Sequence, residues 1–164
     1  MRNERGFTLV EIMVAMTIFA FVVTGILLLY VNGYRSYAGT SRKIEVQENL
    51  RYALSWMARD IRQAVQLEVY DAAGRSANAG PTMRLTLSGG NQITYQYDAV
   101  QREVETRRSA VDTPKPIASN VTALQFTRDV HGRSVSITIT GERWDTGPIT
   151  MRTRVHLRAE PATP

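Results

Sequence analysis

The chain has 164 residues, of which 43% are hydrophobic, so it is long enough for one globular domain and too apolar to be disordered throughout. It contains no cysteine, which excludes disulfide bonds, cysteine-based metal sites and thiol nucleophiles. The net charge of +5 comes from basic residues scattered along the chain, which is only a weak indication of nucleic-acid binding.

The first distinct element is an apolar run over residues 12–31, which contains no charged side chain. As a helix, about 20 residues extend for about 30 Å, which matches the hydrocarbon thickness of a bilayer. A short polar segment precedes Phe7, and no ordinary secretory cleavage site follows Val31. We therefore predict a membrane-spanning helix after a processing leader. A buried core helix is the alternative, but the chain offers too little soluble mass to surround one.

Glu11 places a carboxylate in this apolar environment, between Val10 and Ile12. An ionised group in hydrocarbon costs about 2.5 to 3.5 kcal/mol or more, so such residues usually have a partner or a function. Snorkelling to the interface is the alternative, although Glu is shorter than the Lys and Arg that usually snorkel. Glu11 is therefore a candidate functional residue.

The segment Arg5-Gly6-Phe7-Thr8-Leu9-Val10-Glu11 resembles the prepilin cleavage and methylation motif of type IV pilins and type II secretion pseudopilins. The resemblance implies that a prepilin peptidase cuts after Gly6 and that the new terminal residue, Phe7, is N-methylated. It also implies that Glu11 assists assembly by attracting the charged amino terminus of a neighbouring subunit. Such a pair of opposite charges would offset the desolvation of both.

Apolar residues recur at helical spacing between Val46 and Ile61, which predicts an amphipathic helix. The expected apolar stripe is Val46, Leu50, Leu54 or Ala53, Met57 and Ile61, and the side chains expected to face water are Arg51, Arg59, Asp60 and Arg62. No proline lies between Phe7 and Ala64, so the apolar and amphipathic parts can form one helix. We expect the stripe to dock onto the chain's own sheet; a partner-binding or membrane-surface face is the alternative.

The rest of the chain predicts antiparallel strands. After a loop at residues 71–81, a hairpin is expected from two alternating segments joined by Gly89-Gly90-Asn91. The predicted strands are 83–88, 92–97, 102–106, 120–127, 134–140 and 149–157, with a proline-containing interruption at 112–116. The predicted fold is α+β, a long N-terminal helix packed on a C-terminal antiparallel β-sheet.

Residues 48–64 resemble PilW-type minor pilins and are also similar to GspJ-type pseudopilins. Ala20 and Leu28 stand where many major pilins carry helix-loosening Gly and Pro, which favours a minor component. The expected function is a minor pilin of a type IV pilus, at the tip or priming assembly, and a type II secretion pseudopilin is the runner-up. The expected partners are other pilin subunits, prepilin peptidase, the inner-membrane pilus or secretion machinery and, before assembly, membrane lipid.

The predicted organisation is a cleaved leader at 1–6, a transmembrane or filament-core helix at 7–31, its amphipathic continuation at 32–66 and a β-sheet domain at 67–164. The precursor is expected to cross the inner membrane once, with its N-terminus cytoplasmic and its sheet domain exported. It would then enter a pilus or pseudopilus in the periplasm or at the cell surface.

No catalytic constellation is visible, so no enzymatic activity, cofactor or metal is predicted. His131 and His156 have no second ligand or triad pattern nearby. The aspartates beside turn signals, which we interpret as turn formers, are Asp71, Asp98, Asp112, Asp129 and Asp145. A loop-built calcium site stays open as an alternative, although no EF-hand pattern occurs.

DNA binding is the alternative of a different class, because some pilins take part in DNA uptake. The arginines that could form a positive face are Arg102, Arg107, Arg108, Arg128 and Arg133. A membrane-anchored module of this kind, or a single-pass membrane enzyme, would keep its leader residues.

Overall fold

A computed structural model describes residues 8–109, 111–130, 132–144 and 146–157 of the chain. It confirms the predicted α+β fold, with one long helix, α1 (Leu9–Gln63), packed on antiparallel sheets. The chain divides into two compact units, Met1–Ser41 and Arg42–Pro164. The second unit holds the C-terminal part of α1 and all the described strands.

In the first unit, α1 is an apolar helix that lacks a core of its own. Its most apolar 18-residue window has a mean hydropathy of 2.7, is not buried, and is long and apolar enough to cross a membrane. The hydroxyls of Thr17 and Thr24 donate to the carbonyl oxygens of Met13 and Ala20 at 2.8 Å, so these polar groups are satisfied within the helix. The prediction of a helix over residues 12–31 is confirmed.

In the second unit, one face of α1 is buried. The buried residues are Val46, Leu50, Ala53, Leu54, Met57, Ala58, Asp60 and Ile61. The predicted apolar stripe and its docking on the chain's own strands are therefore confirmed. The expectation that Asp60 faces water is wrong, because this residue is only 5% exposed.

The strands follow α1 in chain order. They are β1 (Ala64–Tyr70), β2 (Ser76–Ala77), β3 (Ala79–Gly80), β4 (Thr82–Leu87), β5 (Gln92–Asp98), β6 (Glu103–Arg107), β7 (Lys115–Ala118), β8 (Val121–Arg128), β9 (Ser134–Gly141) and β10 (Ile149–His156). The hairpin of β4 and β5 is confirmed, with Leu85 opposite Ile93. Gly90 lies in its turn with a positive φ of 77°, which a residue without Cβ adopts readily.

The helix ends earlier than expected, at Gln63 rather than at residue 66, and β1 follows at once. The reason is pairing with β4, which gives the backbone of Ala64–Tyr70 its hydrogen-bond partners. Along β1, the buried Leu67 and Val69 flank the partly exposed Glu68, so the side chains alternate as a half-buried strand requires.

The strands form two sheets rather than the single sheet that the sequence predicts. The six-stranded sheet has the order β2-β1-β4-β5-β6-β7, and the four-stranded sheet has the order β10-β9-β8-β3. The expected loop at 71–81 contains the short strands β2 and β3, one on each sheet. Where the chain passes between the sheets, a Cβ on Gly80 would lie 1.9 Å from the Tyr70 carbonyl oxygen, so only glycine fits there.

One hydrophobic core joins α1 to both sheets. Tyr95 of the six-stranded sheet, Phe126 of the four-stranded sheet and Leu50 of α1 are all fully buried. Burying side chains of this size contributes about 1.5 to 3 kcal/mol each. The second unit therefore supplies its own apolar environment.

Candidate functional site

The N-terminal end of α1 carries the candidate assembly residue, Glu11. Thr8 precedes the helix, and its hydroxyl oxygen accepts a hydrogen bond from the Glu11 N–H at 3.3 Å. In return, the Thr8 N–H donates to Oε2 of Glu11 at 3.3 Å. This reciprocal arrangement is a capping box, which satisfies backbone N–H groups that a helix start leaves without partners.

The electrostatic setting of Glu11 is favourable at this point of the helix. A carboxylate in the first turn interacts well with the positive end of the helix dipole. Glu11, Ile12, Ala15, Met16 and Phe19 line one shallow groove, since residues three and four apart share a helix face. Among the described residues that line this groove, Glu11 is the only charged one, and the apolar side chains follow it along α1.

Gly6 and Phe7, the expected cleavage and methylation positions, lie outside the described residues. They directly precede Thr8, so the predicted cut would leave Phe7 as the first residue, one position before the cap. Of the expected site, the structure describes Glu11, and both the role of Glu11 in assembly and the processing positions stay predictions.

Residues 1–27 match the family model of the prokaryotic N-terminal methylation motif. This motif indicates a type IV pilin-like or pseudopilin precursor. It favours a structural subunit over an enzyme and implies processing by a prepilin peptidase and assembly with other pilins. Together with the apolar part of α1, it indicates a membrane-anchored precursor. No curated protein sequence matches the chain.

The match covers the part of the chain that contains Glu11 and ends before the amphipathic part of α1. The resemblance of residues 48–64 to PilW-type and GspJ-type proteins is therefore not tested by it and stays a prediction.

The aspartates interpreted as turn formers act as such wherever their side-chain contacts are described. Asp71 Oδ1 accepts from the N–H groups of Ala73 and Arg75 at 2.9 and 2.8 Å. Asp98 and Asp129 make similar contacts with the residues that follow them. Asp112 is exposed, whereas Asp145 lies outside the described residues. In the described ranges, no three His, Cys, Asp or Glu side chains are grouped as a metal site requires.

The structure describes one of the two histidines that were considered as candidate ligands. His156 is exposed at the end of β10. His131 lies outside the described residues.

The arginines considered for DNA binding do not all lie close together. Arg102 lies beside the start of β8, because its carbonyl oxygen accepts from the Val121 N–H at 2.9 Å. Arg128 is the last residue of β8, about 23 Å further along an extended strand. Arg133 follows in the next turn, whereas Arg107 and Arg108 lie at the end of β6. This placement does not favour a DNA-binding function.

The buried polar contact around Asp60 was not predicted from the sequence. The Tyr95 hydroxyl donates to Oδ2 of Asp60 at 2.7 Å, and a terminal nitrogen of Arg108 lies 3.5 Å from the same oxygen. Burial, with the hydrogen bond to the carboxylate, raises the pKa of Tyr95 well above its ordinary value. The contact joins α1 to β5, and we interpret it as structural.

Proposed function

We propose that the chain is a minor pilin of a type IV pilus, cut after Gly6, N-methylated on Phe7 and assembled through the N-terminal part of α1. The observation that carries this proposal is Glu11, a carboxylate in the first turn of an exposed apolar helix that begins two residues after Phe7, the expected new terminus. An ionisable group in such a segment normally has a partner.

Cleavage would create that partner. The amine released at Phe7 is a charged donor four residues before Glu11, and in a filament the amine of a neighbouring copy would reach the same carboxylate. The contacts of Glu11 with Thr8 measure 3.3 to 3.4 Å, which is long for hydrogen bonds to a carboxylate. A charged amine makes shorter and stronger hydrogen bonds to a carboxylate, so exchange of partners on assembly is favourable.

Helix packing would supply the rest of the filament core. In lipid, helices associate through close van der Waals contact and small residues rather than through the hydrophobic effect. Ala15 lies in the groove that begins at Glu11, and a Cβ on Gly25 would meet no atom of the described residues within 4 Å outside its own turn of helix, so both positions leave room for a neighbouring helix. The sheet unit, exported before assembly, would form the outer surface or the tip.

The first test is mass spectrometry of the N-terminal peptide, taken in parallel from sheared surface filaments and from the cell envelope. We expect a terminus at methylated Phe7 in the filament fraction. The same terminus found only in the envelope would instead identify a type II secretion pseudopilin or an assembly primer. An intact Met1 or Arg2 would overturn both forms of the proposal and favour a simple membrane anchor.

The role of Glu11 is tested with Glu11→Ala beside Glu48→Ala, a matched control that removes an exposed carboxylate from the amphipathic part of α1. We expect Glu11→Ala to lower recovery in sheared filaments at least tenfold and Glu48→Ala to leave it within twofold. Equal recovery of the two variants would show that Glu11 does not assist assembly.

A further inference from the structure

The edge strands of the two sheets differ in how well they are protected against pairing with another chain. β2 and β3 have two residues each, and the short strand β7 contains Pro116, which has no backbone N–H to donate. β10, the edge of the four-stranded sheet, has 8 residues and no proline. Shortness and proline are two common protections of a sheet edge. Among the described strands, β10 is therefore the edge that is open to a further strand.

The backbone groups of β10 that point to this open edge follow from its register with β9. Leu157, directly after β10, donates its N–H to the Arg133 carbonyl oxygen at 2.9 Å, so these two residues form a hydrogen-bonded pair. The same register continues along the whole strand, and hydrogen-bonded pairs alternate with non-hydrogen-bonded pairs in an antiparallel ladder. The residues whose N–H and C=O groups point away from β9 are therefore Thr150, Arg152, Arg154 and His156.

The same four residues carry exposed side chains on the outer face of the sheet. Val155 is buried on the inner face, and successive side chains of a strand point to opposite faces. Nε of Arg154 donates to the hydroxyl oxygen of Ser136 in β9 at 3.2 Å, so this guanidinium lies along the outer surface. Two arginines two positions apart, Arg152 and Arg154, therefore stand beside the open backbone groups.

The charged residues of the four-stranded sheet are all basic. No acidic residue occurs in its strands, β3, β8, β9 and β10, which contain Arg128, Arg152 and Arg154. Acidic residues occur in the connections at the ends of β9, where they are mixed with arginines: Asp129 with Arg133 before it, and Glu142 and Asp145 with Arg143 after it. No described carboxylate is within ion-pair distance of Arg152 or Arg154.

The backbone of β10 selects an extended polypeptide as its occupant, because a strand presents N–H and C=O groups at the matching spacing. A second copy of β10 is unfavourable, since it would place arginine beside arginine and offers no acidic residue. The other edge strands of a second copy, β2, β3 and β7, contain no acidic residue either. Glu103 and Glu105 have the complementary spacing, but β6 is already paired on both sides. This mismatch concerns sheet edges and leaves the packing of α1 between copies unaffected.

We infer that β10 is the docking edge for an extended segment of a different protein, in which acidic and apolar residues alternate. The segment adds a strand to the four-stranded sheet through backbone hydrogen bonds. Its acidic side chains lie on the outer face beside Arg152 and Arg154, and its apolar side chains lie on the inner face beside Met151, which the core covers only in part. This inference goes beyond the proposed function and does not depend on it.

The first test measures the binding of labelled peptides to the full-length chain in detergent micelles by fluorescence anisotropy. The glutamate probe is Thr-Val-Glu-Val-Glu-Val-Thr, whose two glutamates share one face of a strand. The control peptide, Thr-Val-Val-Glu-Glu-Val-Thr, has the same composition and charge, but its glutamates point to opposite faces. We expect the control peptide to bind at least tenfold more weakly. Equal binding of the two peptides, or no binding of the glutamate probe below about 1 mM, would overturn the inference.

The second test compares Arg152→Glu with Arg51→Glu, a matched control that reverses an exposed arginine of α1. We expect Arg152→Glu to bind the glutamate probe at least tenfold more weakly and Arg51→Glu to bind it within twofold of the unaltered chain. A probe with lysine in place of both glutamates should bind Arg152→Glu more tightly than the unaltered chain, which would show that the variant is folded. Equal losses in the two variants would mean that overall charge, rather than β10, attracts the peptide.

A third measurement distinguishes strand addition from contact between side chains alone. Amide hydrogen exchange of the full-length chain, resolved by residue with NMR, is compared with and without the glutamate probe. The N–H groups of Arg152 and Arg154, which point to the open edge, should exchange at least fivefold more slowly with the probe bound. Unchanged exchange at both would overturn the inference. The pilin proposal is tested separately by the terminus at Phe7, so either can fail alone.

Discussion

From Leu9 to Ser41, α1 exposes large apolar side chains such as Phe21, whereas from Arg42 to Gln63 the same helix buries Leu50 and Met57 completely. Both parts are helical and both are rich in apolar residues. They differ in what covers those residues, since the second part has two sheets and the first part has no described partner within the chain. The apolar side chains of the first part are thus exposed, whereas those of the second part are covered by the chain's own strands.

The largest effect should come from shortening the buried Leu50 in the second part of α1, and the exposed Leu28 in the first part serves as the control. Leu50→Ala removes a fully buried side chain and leaves a cavity, so we expect the free energy of unfolding of the sheet unit to fall by about 2 to 5 kcal/mol. Leu28→Ala removes an exposed side chain of the first part and should change that free energy by less than about 0.5 kcal/mol. Urea denaturation of the full-length chain in detergent micelles, followed by tryptophan fluorescence, measures both.

Equal losses for Leu50→Ala and Leu28→Ala would show that the first part of α1 contributes to the stability of the sheet unit. The contrast between the two parts of the helix would then be wrong.

A second effect should come from the one charged residue on the buried face of α1. Asp60→Ala leaves the Tyr95 hydroxyl buried without its described acceptor, which we expect to cost about 1 to 3 kcal/mol of unfolding free energy. Asp112→Ala removes an exposed carboxylate and serves as the control, with an expected change within about 0.5 kcal/mol. The same denaturation measurement applies, and an Asp60→Ala loss no larger than that of Asp112→Ala would contradict a stabilising role of the contact.

The raised pKa of Tyr95 predicts that the sheet unit becomes less stable at alkaline pH. Because the folded state holds the phenol proton more tightly than the unfolded state, the stabilisation is complete below pH 10.0, the ordinary pKa. Above pH 10.0 the unfolded state loses this proton first, so unfolding should become easier by about 1.4 kcal/mol per pH unit from this group.

Tyr95→Phe removes that contribution, and the slopes of the two chains between pH 10 and 11 can be compared by denaturation. The chain has seven tyrosines, so the difference between the two slopes, rather than either slope, measures Tyr95. Equal slopes would mean that folding does not raise the pKa of Tyr95.

Features of the fold that neighbouring residues determine could be predicted from the sequence. Features that depend on residues far away in the chain could not. The hairpin of β4 and β5 was predictable because alternation and a Gly-Gly turn are local signals. β1 was not, since its Ala, Gln, Leu and Glu residues are good helix formers and only pairing with β4 makes it a strand. Asp60 was assigned to the water-facing side because its partner, Tyr95, is 35 residues away.

The candidate assembly residue follows the same rule. Glu11 was recognisable because its motif is contiguous in the chain.

The smallest effect should come from the intrinsic helix propensity of the first part of α1. Apart from its own turn of helix, a Cβ on Gly33 would meet no atom of the described residues within 4 Å. Gly33→Ala is therefore expected to stabilise the helix locally by about 0.5 to 1 kcal/mol, because alanine loses less backbone entropy than glycine. Amide hydrogen exchange of the full-length chain in detergent micelles should slow about two- to fivefold around this position. Gly141→Ala is the contrasting variant: its Cβ would lie 3.0 Å from both the Asn120 carbonyl oxygen and a Leu50 methyl carbon, so exchange around β9 should become faster. If Gly33→Ala left exchange unchanged or made it faster, the first part of α1 would be held by contacts other than its own helix.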